Sequence, residues 1–196
     1  MRRFVIVVDA QTDFIAADGA LPVGGAEALT GPMQTWLAAL RPEEIEGVLF
    51  TFDTHEPEIY AGSAEAGEFP LHCVRGEAGW KLVVDPDRID SAIPLYRLEK
   101  GVFAMWEEPD LKIETLRGPP SAPRQRDAFF EDLKARGVED VTVIGVAADY
   151  CVRWAIDGLV ERGFRVEVPA DLTRGIVRQI DAVVAESWPA GAVAVR

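Results

Sequence analysis

Short runs of consecutive apolar residues alternate along the chain with longer stretches in which apolar residues recur every three or four positions. Continuous apolar runs are typical of parallel strands that are covered on both faces. Six such runs predict strands at residues 4–8, 47–52, 93–98, 141–146, 164–168 and 192–195. The longer spacing is that of amphipathic helices, and it predicts helices at residues 26–40, 124–136, 150–162 and 176–188.

The order of these elements predicts the fold class. Strands followed by helices require crossover connections, which place the strands parallel and the helices on both faces of the sheet. We therefore expect a single α/β domain over residues 1–196, a three-layer sandwich with a mostly parallel sheet of about six strands. Residues 54–86 show little periodicity, and irregular segments of this length in compact domains are often functional.

Composition and charge exclude several classes of function. The formal net charge is −13, from 33 acidic and 20 basic residues, which argues against binding to nucleic acid or to anionic membranes. The first apolar run ends at Asp9, too early for a secretory leader, and no run approaches the length of a membrane span. Two cysteines, Cys73 and Cys151, are too few for a disulfide scaffold, so we expect a reduced, cytoplasmic protein.

Side chains that can perform chemistry follow four of the predicted strands. In open α/β sheets, ligands bind outside the carboxyl ends of the strands. Those ends carry Asp9, Asp53 with His55, Lys100, and the turn that leads to Cys151. Each alone has an ordinary explanation, such as a turn aspartate or a small buried cysteine. Their coincidence at one edge of one sheet indicates an active site.

Cys151 stands where an apolar strand gives way to a helical pattern. The free amides and the positive dipole end of a helix N-terminus lower the pKa of a thiol, and the thiolate is the nucleophilic form. We therefore expect a reactive cysteine with a lowered pKa. The alternative is a structural cysteine that packs the helix against the sheet.

A second group combines a carboxylate with the two histidines of the chain. Asp53 and His55 lie two residues apart, on one side of an extended chain, and His72 follows 17 residues later. Two imidazoles and one carboxylate can hold a divalent ion and leave positions for water or substrate. The alternative is a loop histidine and a capping aspartate. We expect Cys73, next to His72, to point the other way and to be structural.

Several segments, taken together and in order, resemble the nicotinamidase branch of the isochorismatase-like cysteine hydrolases. They are residues 7–14 (VVDAQTDF), 19–23 (GALPV), 51–55 (TFDTH), 69–74 (FPLHCV), 100–101 (KG), 145–152 (GVAADYCV) and 171–175 (DLTRG). The resemblance implies an amidohydrolase of pyridine nucleotide metabolism that releases ammonia from a small carboxamide, in the first place nicotinamide. It also implies that the protein forms a homo-oligomer and that it binds a small-molecule amide substrate.

The resemblance implies a role for each catalytic position. Cys151 matches the nucleophile, Asp9 its proton acceptor, and Lys100 the residue beside both. The backbone amides of Ala147 and Cys151 match the oxyanion hole, and the family has a cis peptide bond before the residue at Ala147. If both histidines bind metal, no imidazole remains for a Cys–His pair, so the base must be a carboxylate.

The remaining matches concern the metal ion and the substrate pocket. Asp53, His55 and His72 match the family's metal ligands. Zinc is the first expectation for the divalent ion, with iron or manganese as alternatives. Phe14 and Phe69 fall where the family lines the pocket for the substrate ring.

The sequence departs from the family pattern at three places. Phe69 stands where nicotinamidases usually have Trp, Ala148 where Thr is common, and residues 102–126 do not follow the family's pocket element. These changes leave the reaction type intact but leave the substrate open. The alternatives are an amidase for another small amide, such as a carbamoyl, ureido or maleamate-like compound, and a non-enzymatic binding protein. Cys151 argues against a vinyl-ether-cleaving isochorismatase, since those enzymes lack the nucleophilic cysteine.

Overall fold

The computed structural model describes residues 2–196 and contains in that range nine β-strands and six α-helices. The strands are β1 Arg3–Val8, β2 Ile45–Asp53, β3 Leu95–Lys100, β4 Lys112–Arg117, β5 Arg124–Gln125, β6 Asp140–Val146, β7 Arg165–Val168, β8 Thr173–Arg174 and β9 Val193–Val195. The helices are α1 Thr12–Ile15, α2 Thr30–Ala38, α3 Pro57–Tyr60, α4 Arg126–Ala135, α5 Cys151–Glu161 and α6 Ile180–Ser187. Across residues 2–196, no helix combines the length and apolarity needed to cross a membrane.

The strands form one sheet in the order β5-β4-β3-β2-β1-β6-β7-β9, with β8 paired beside β6. The pairs among β3, β2, β1, β6, β7 and β9 are parallel, whereas β4 and β5 are antiparallel. The predicted α/β fold with a mostly parallel sheet is confirmed. The expected count of six strands is too low, because β4 is an edge-type strand with only one buried residue and β5 and β8 are two residues long.

Alternate side chains of the central strand β1 enter two separate cores. Phe4, Ile6 and Val8 pack on one face of the sheet with residues of α4, α5 and α6. Val5 and Val7 pack on the opposite face with residues of α2. All five are at most 1% exposed, as a strand covered on both faces requires. The expected layers, helix against sheet against helix, are therefore present.

Two predicted helices begin later than the apolar spacing indicates. The predicted helix at residues 26–40 opens as a 3₁₀ turn, and α2 starts only at Thr30, which puts Pro32 in the first turn, where proline is tolerated. The predicted helix at residues 176–188 begins at Ile180. The amides of residues 176–178 donate instead to the buried carboxylate of Asp149.

The irregular segment at residues 54–86 is fixed to the sheet by the buried side chain of Gln11. Gln11 Oε1 accepts a hydrogen bond from the Asp53 amide at 2.8 Å, and Nε2 donates to the Asp53 carbonyl at 2.8 Å. Nε2 also donates to the Trp80 carbonyl at 3.0 Å. One side chain at the end of β1 therefore holds the end of β2 and the returning part of the irregular segment.

Substitution of leucines in two strands tests this account of the core. Leu49 of β2 is fully buried, whereas Leu116 of β4 is 43% exposed. We expect Leu49→Ala to lower the free energy of unfolding by about 2–5 kcal/mol, because it leaves a cavity. Leu116→Ala is the matched control and is expected to cost less than about 1 kcal/mol. Urea denaturation measures both, and equal losses would contradict the assignment of Leu49 to the central core.

Candidate active site

The carboxyl ends of β1, β2 and β3 meet at the start of α5, and Lys100 lies at the centre of the side chains gathered there. Its Nζ lies 2.8 Å from Asp9 Oδ2, 3.5 Å from Asp53 Oδ1 and 3.6 Å from Cys151 Sγ. None of the four residues is more than 6% exposed. Side chains predicted from four separate strand ends therefore form one buried cluster, which we call the lysine cluster.

Asp9 turns one carboxylate oxygen toward the interior of the lysine cluster. The Thr51 hydroxyl donates to Asp9 Oδ1 at 2.6 Å and accepts from the Asp9 amide at 3.2 Å. Asp9 has a φ of +46°, a left-handed conformation that aspartate adopts more readily than most residues. Its Oδ2 pairs with the Lys100 ammonium and, among residues 2–196, receives no hydrogen bond of good geometry. Because Thr51 already donates to Oδ1, Oδ2 is the oxygen of Asp9 that faces Lys100 and can accept a proton.

Burial and charge act in opposite directions on Lys100. Burial alone would lower the pKa of this side chain. The carboxylates of Asp53 and Asp9 outweigh the burial and raise the pKa of Lys100 well above its usual value. The lysine is therefore a fixed ammonium inside the site.

Burial and charge also oppose each other at Cys151, but there burial has the larger effect on the pKa. Burial raises the pKa of the Cys151 thiol well above its ordinary value, and the Lys100 ammonium offsets only part of that rise. A helix terminus stabilises a thiolate by roughly 0.3–2 kcal/mol, which lowers its pKa by at most about 1.5 units. Full burial raises a thiol pKa by up to about 3–5 units, so burial is the larger effect. The expectation of a lowered thiol pKa is therefore wrong, and the resting cluster contains a neutral thiol.

The turn between β6 and α5 contains the backbone amides of Ala147 and Cys151, two residues that line the same cleft. Cys151 is the first residue of α5, and first-turn amides have no acceptor within their own helix. The Ala147 amide has no backbone acceptor among residues 2–196, and the Val146–Ala147 peptide bond is cis. Gly145, with a φ of +112°, is required there because a Cβ would lie 2.0 Å from the Val8 carbonyl oxygen. The use of the two amides as an oxyanion hole stays a prediction.

Four buried side chains converge next to the lysine cluster: Asp53, His55, Glu65 and His72. Asp53 Oδ2 lies 3.2 Å from His55 Nε2 and 3.0 Å from His72 Nε2. The oxygens of Glu65 lie 3.8 Å and 3.4 Å from the same two nitrogens. One ligand atom from each residue lies within 4.8 Å of the others, so this group can hold a divalent metal ion.

The donor atoms of this group suit a cation. His72 Nδ1 donates to the Pro70 carbonyl at 2.8 Å, so Nε2 is the ring nitrogen that faces the group. Burial alone would lower the pKa of His72, but Asp53 and Glu65 outweigh it and raise that pKa to about 10. Glu65 Oε1 is buried without a hydrogen-bond partner among residues 2–196. An unpaired buried carboxylate oxygen is costly unless a positive charge balances it.

Glu65 is the member of this group that the sequence patterns did not reveal. It belongs to the 3₁₀ helix Glu65–Gly67, inside the irregular segment, and it is only 8% exposed. Other glutamates stand nearby in the sequence, so neither spacing nor composition distinguishes it from them. Its place seven residues before His72 is the one available signal, and that signal is weak. The three predicted ligands thus become a group of four.

Cys73 lies outside both groups, in the core on the α2 face of the sheet. Its φ is +47°, and its amide donates to Asp13 Oδ2 at 2.7 Å. The other oxygen of Asp13 accepts from the Ala20 amide at 3.1 Å. Burial raises the pKa of the Cys73 thiol far above its ordinary value. Cys73 therefore has a structural position, and Asp13 ties two loops together at this edge of the sheet.

An apolar cleft leads down to Cys151 and borders both groups. The Phe14 ring centroid lies 5.1 Å from that of His72, one of the four residues that can hold a metal ion. The Phe69 ring lies 5.7 Å from the Tyr150 ring and 5.8 Å from the Phe103 ring. Phe14 and Phe69 both line the cleft. An apolar lining with few polar groups is typical of small-molecule sites.

Comparison with known proteins agrees with this geometry. No family model matches the chain. Over 178 residues the chain is 30% identical to the nicotinamidase/pyrazinamidase of Mycobacterium tuberculosis (strain ATCC 25618 / H37Rv), a match that covers 89% of this chain and 87% of that protein. The chain belongs to the nicotinamidase branch of the isochorismatase-like hydrolases. It is therefore an amide-hydrolysing enzyme, as the sequence motifs predicted.

Solved nicotinamidase structures share its fold over the whole chain. The nicotinamidase of Bacillus subtilis superposes with a TM-score of 0.76 at 17% identity, covering 100% of this chain and 99% of the other. The pyrazinamidase of Pyrococcus horikoshii, solved in complex with zinc, gives a TM-score of 0.73 at 23% identity, with coverage of 100% and 99%. At these identities the comparison establishes the nicotinamidase fold.

Metal binding tests the contribution of Glu65. We expect Glu65→Ala to weaken zinc binding at least about tenfold in a calorimetric titration of the metal-free protein, because one of four donors is lost. Glu68→Ala is the matched control, since Glu68 is exposed and close in sequence. Equal affinities of the two variants would exclude Glu65 from the metal site.

Proposed function

We propose that this enzyme hydrolyses nicotinamide to nicotinate and ammonia through a thioester on Cys151. The observation that carries the proposal is the lysine cluster, in which a buried ammonium lies beside a carboxylate oxygen of Asp9 and the thiol of Cys151. These are the parts that acyl transfer by a cysteine requires: a nucleophile, a base within reach, and a charge that holds both in place.

In the first step the sulfur of Cys151 attacks the amide carbonyl carbon. Because burial keeps the thiol neutral, its proton must leave as the C–S bond forms, and Asp9 Oδ2 accepts it. Lys100 stays charged, and it stabilises both the carboxylate and the thiolate character that develops on sulfur. The carbonyl oxygen becomes an oxyanion.

The amides of Ala147 and Cys151 are proposed to receive that oxyanion. Backbone donors that point at the developing charge are worth about 3–4 kcal/mol each. When the tetrahedral intermediate collapses, the carbon–nitrogen bond breaks and Asp9 returns its proton to the leaving nitrogen. Ammonia departs, and the acyl group remains on the sulfur as a thioester.

Water completes the reaction. Asp9 is again a carboxylate, and it takes a proton from the water molecule that attacks the thioester carbon. Collapse of the second intermediate breaks the C–S bond, and the proton held by Asp9 restores the Cys151 thiol. The sum is amide plus water to carboxylic acid plus ammonia, with no change in the enzyme.

The residues proposed to hold the metal are Asp53, His55, Glu65 and His72, and zinc is the ion we propose. A bound divalent ion supplies a fixed positive charge and Lewis acidity at the edge of the cleft. The zinc complex of the Pyrococcus horikoshii pyrazinamidase supports this choice. Asp53 divides its oxygens between the histidines and Lys100, so it links the metal site to the lysine cluster.

The cleft supports a planar aromatic amide as substrate. Phe14 and Phe69 offer apolar surfaces to the cleft, and Cys151 lines the same cleft. A flat heteroaromatic ring buries both faces against such walls. The same chemistry with a different cleft would serve a carbamoyl, ureido or maleamate-like amide, which is the alternative substrate class.

An ammonia-release screen decides between these substrates. Nicotinamide, pyrazinamide, maleamate and carbamoyl compounds are offered to the purified protein, whose metal content is measured in parallel. We expect nicotinamide or pyrazinamide to give the highest kcat/KM and a chelator to raise KM for nicotinamide. Turnover of a carbamoyl compound alone, unaffected by the chelator, would overturn the nicotinamidase proposal in favour of the second substrate class.

The nucleophile is tested by comparing the two cysteines. We expect Cys151→Ala to lower kcat by at least about a thousandfold while the fold is retained, because the acyl acceptor is gone. Cys73→Ala removes the other thiol, outside the site, and is expected to keep turnover. Circular dichroism confirms folding of both variants. Activity that survives in Cys151→Ala but not in Cys73→Ala would contradict a thioester mechanism on Cys151.

A further inference from the structure

We propose that Trp106 and Arg126 are positioning residues that fix the loop at residues 101–111 against α5 and thereby hold Phe103 as a wall of the substrate cleft. The kinetic part of this inference rests on the proposed function, whereas the anchoring itself does not. The loop lies in the region of the chain that departs from the family pattern, so its role follows from its own contacts.

Phe103 is the residue through which the loop reaches the cleft. Its ring stacks on Trp154 of α5, with a centroid distance of 5.6 Å and an interplanar angle of 13°. It meets Tyr150 at 5.6 Å and Phe69 at 5.8 Å in edge-type contacts, and it lines the same cleft as Cys151. These aromatic contacts prefer defined geometries, so a shift of the loop alters the shape of the wall.

Trp106 docks the loop onto the middle of α5. Its Nε1 donates to the Ala155 carbonyl at 3.1 Å, and its ring centroid lies 4.9 Å from that of Phe130 in α4. The ring occupies the space beside Gly158, where a Cβ would lie 2.3 Å from Nε1. The absence of a side chain at Gly158 therefore leaves the space that Trp106 occupies, on the same helix that begins with Cys151.

Arg126 ties the loop to the start of α4 from inside. The residue is only 6% exposed, and its Nη1 donates to the carbonyls of Met105 and Glu108, the latter at 2.9 Å. A buried guanidinium that donates to two loop carbonyls fixes the backbone on both sides of Trp106. The Glu108 side chain then accepts from the Gly101 amide at 2.7 Å, which closes the loop directly after β3.

Two cations cover the Trp106 ring and are held together by one carboxylate. The guanidinium carbon of Arg162 lies 3.9 Å from the ring centroid, and that of Arg126 lies 5.5 Å away. Asp127 accepts hydrogen bonds from both arginines, at 2.9 Å from Arg162 and 3.1 Å from Arg126. Contacts of this kind stabilise an indole ring in one orientation.

These contacts predict a kinetic signature. The anchored loop touches the ring-binding wall and none of the reacting atoms, so loosening it should weaken ground-state binding more than it slows the chemistry. KM should therefore rise while kcat changes little. A loop that only contributed to global stability would lower the melting temperature and leave KM unchanged.

Gly158→Ala tests the proposal, because its methyl group must displace Trp106. We expect faster hydrogen–deuterium exchange at residues 101–111, and a KM for nicotinamide raised about tenfold with kcat within about threefold of wild type. Gly31→Ala is the matched control, since a Cβ at Gly31 in α2 meets nothing within 4 Å, and it should change neither quantity.

Trp106→Phe provides a second variant should Gly158→Ala fail to fold, since it keeps a ring but loses the bond to Ala155. We expect a smaller change in the same direction. Unchanged exchange at residues 101–111 in these variants, or faster exchange with unchanged KM, would overturn the proposal. If the wild type releases no ammonia from any amide, the proposed function fails by itself. Exchange at residues 101–111 then still decides whether the anchoring holds.

Discussion

The site depends on one buried ammonium. Lys100 pairs with two carboxylates, Asp9 and Asp53, that come from neighbouring strands and are at most 1% exposed. An unpaired buried charge costs several kcal/mol, so the ammonium offsets part of the cost of burying the two carboxylates. The register of the sheet enforces the arrangement, because Asp53 and Lys100 are paired residues at the ends of β2 and β3. The pairing of β2 with β3 therefore places the opposite charges of Asp53 and Lys100 next to each other.

The same charge balance explains why the sulfur is a thiol at rest. Two carboxylates and one ammonium already leave the buried group with a net negative charge, so a thiolate would add a second one. In the proposed mechanism, proton transfer from Cys151 to Asp9 removes the negative charge of the carboxylate as the oxyanion forms, so the charge moves without increasing. Asp53 extends the coupling, since one of its oxygens faces Lys100 and the other faces His55 and His72.

The sequence predicted the parts of the molecule that depend on local pattern. Buried parallel strands read as apolar runs, and the residues that follow those runs lie at one edge by topology, so Asp9, Asp53 and Lys100 could be grouped from the sequence alone. Glu65 could not be grouped with Asp53, His55 and His72 in this way, because it lies in an irregular segment whose path is set by tertiary contacts. The start of α6 and the pKa of Cys151 were missed for the same reason: one depends on Asp149, the other on burial.

This division between regular and irregular elements separates reaction type from substrate choice. The proposed nucleophile Cys151, its proposed base Asp9 and Lys100 stand at ends of strands or of α5, where the backbone geometry is dictated by sheet pairing. The cleft residue Phe103 and the proposed ligand Glu65 stand on segments held by side-chain contacts, through Arg126 and Trp106 in one case and Gln11 in the other. Such segments can change without disturbing the sheet. Substrate preference can therefore diverge while the buried charges, and with them the chemistry, stay as they are.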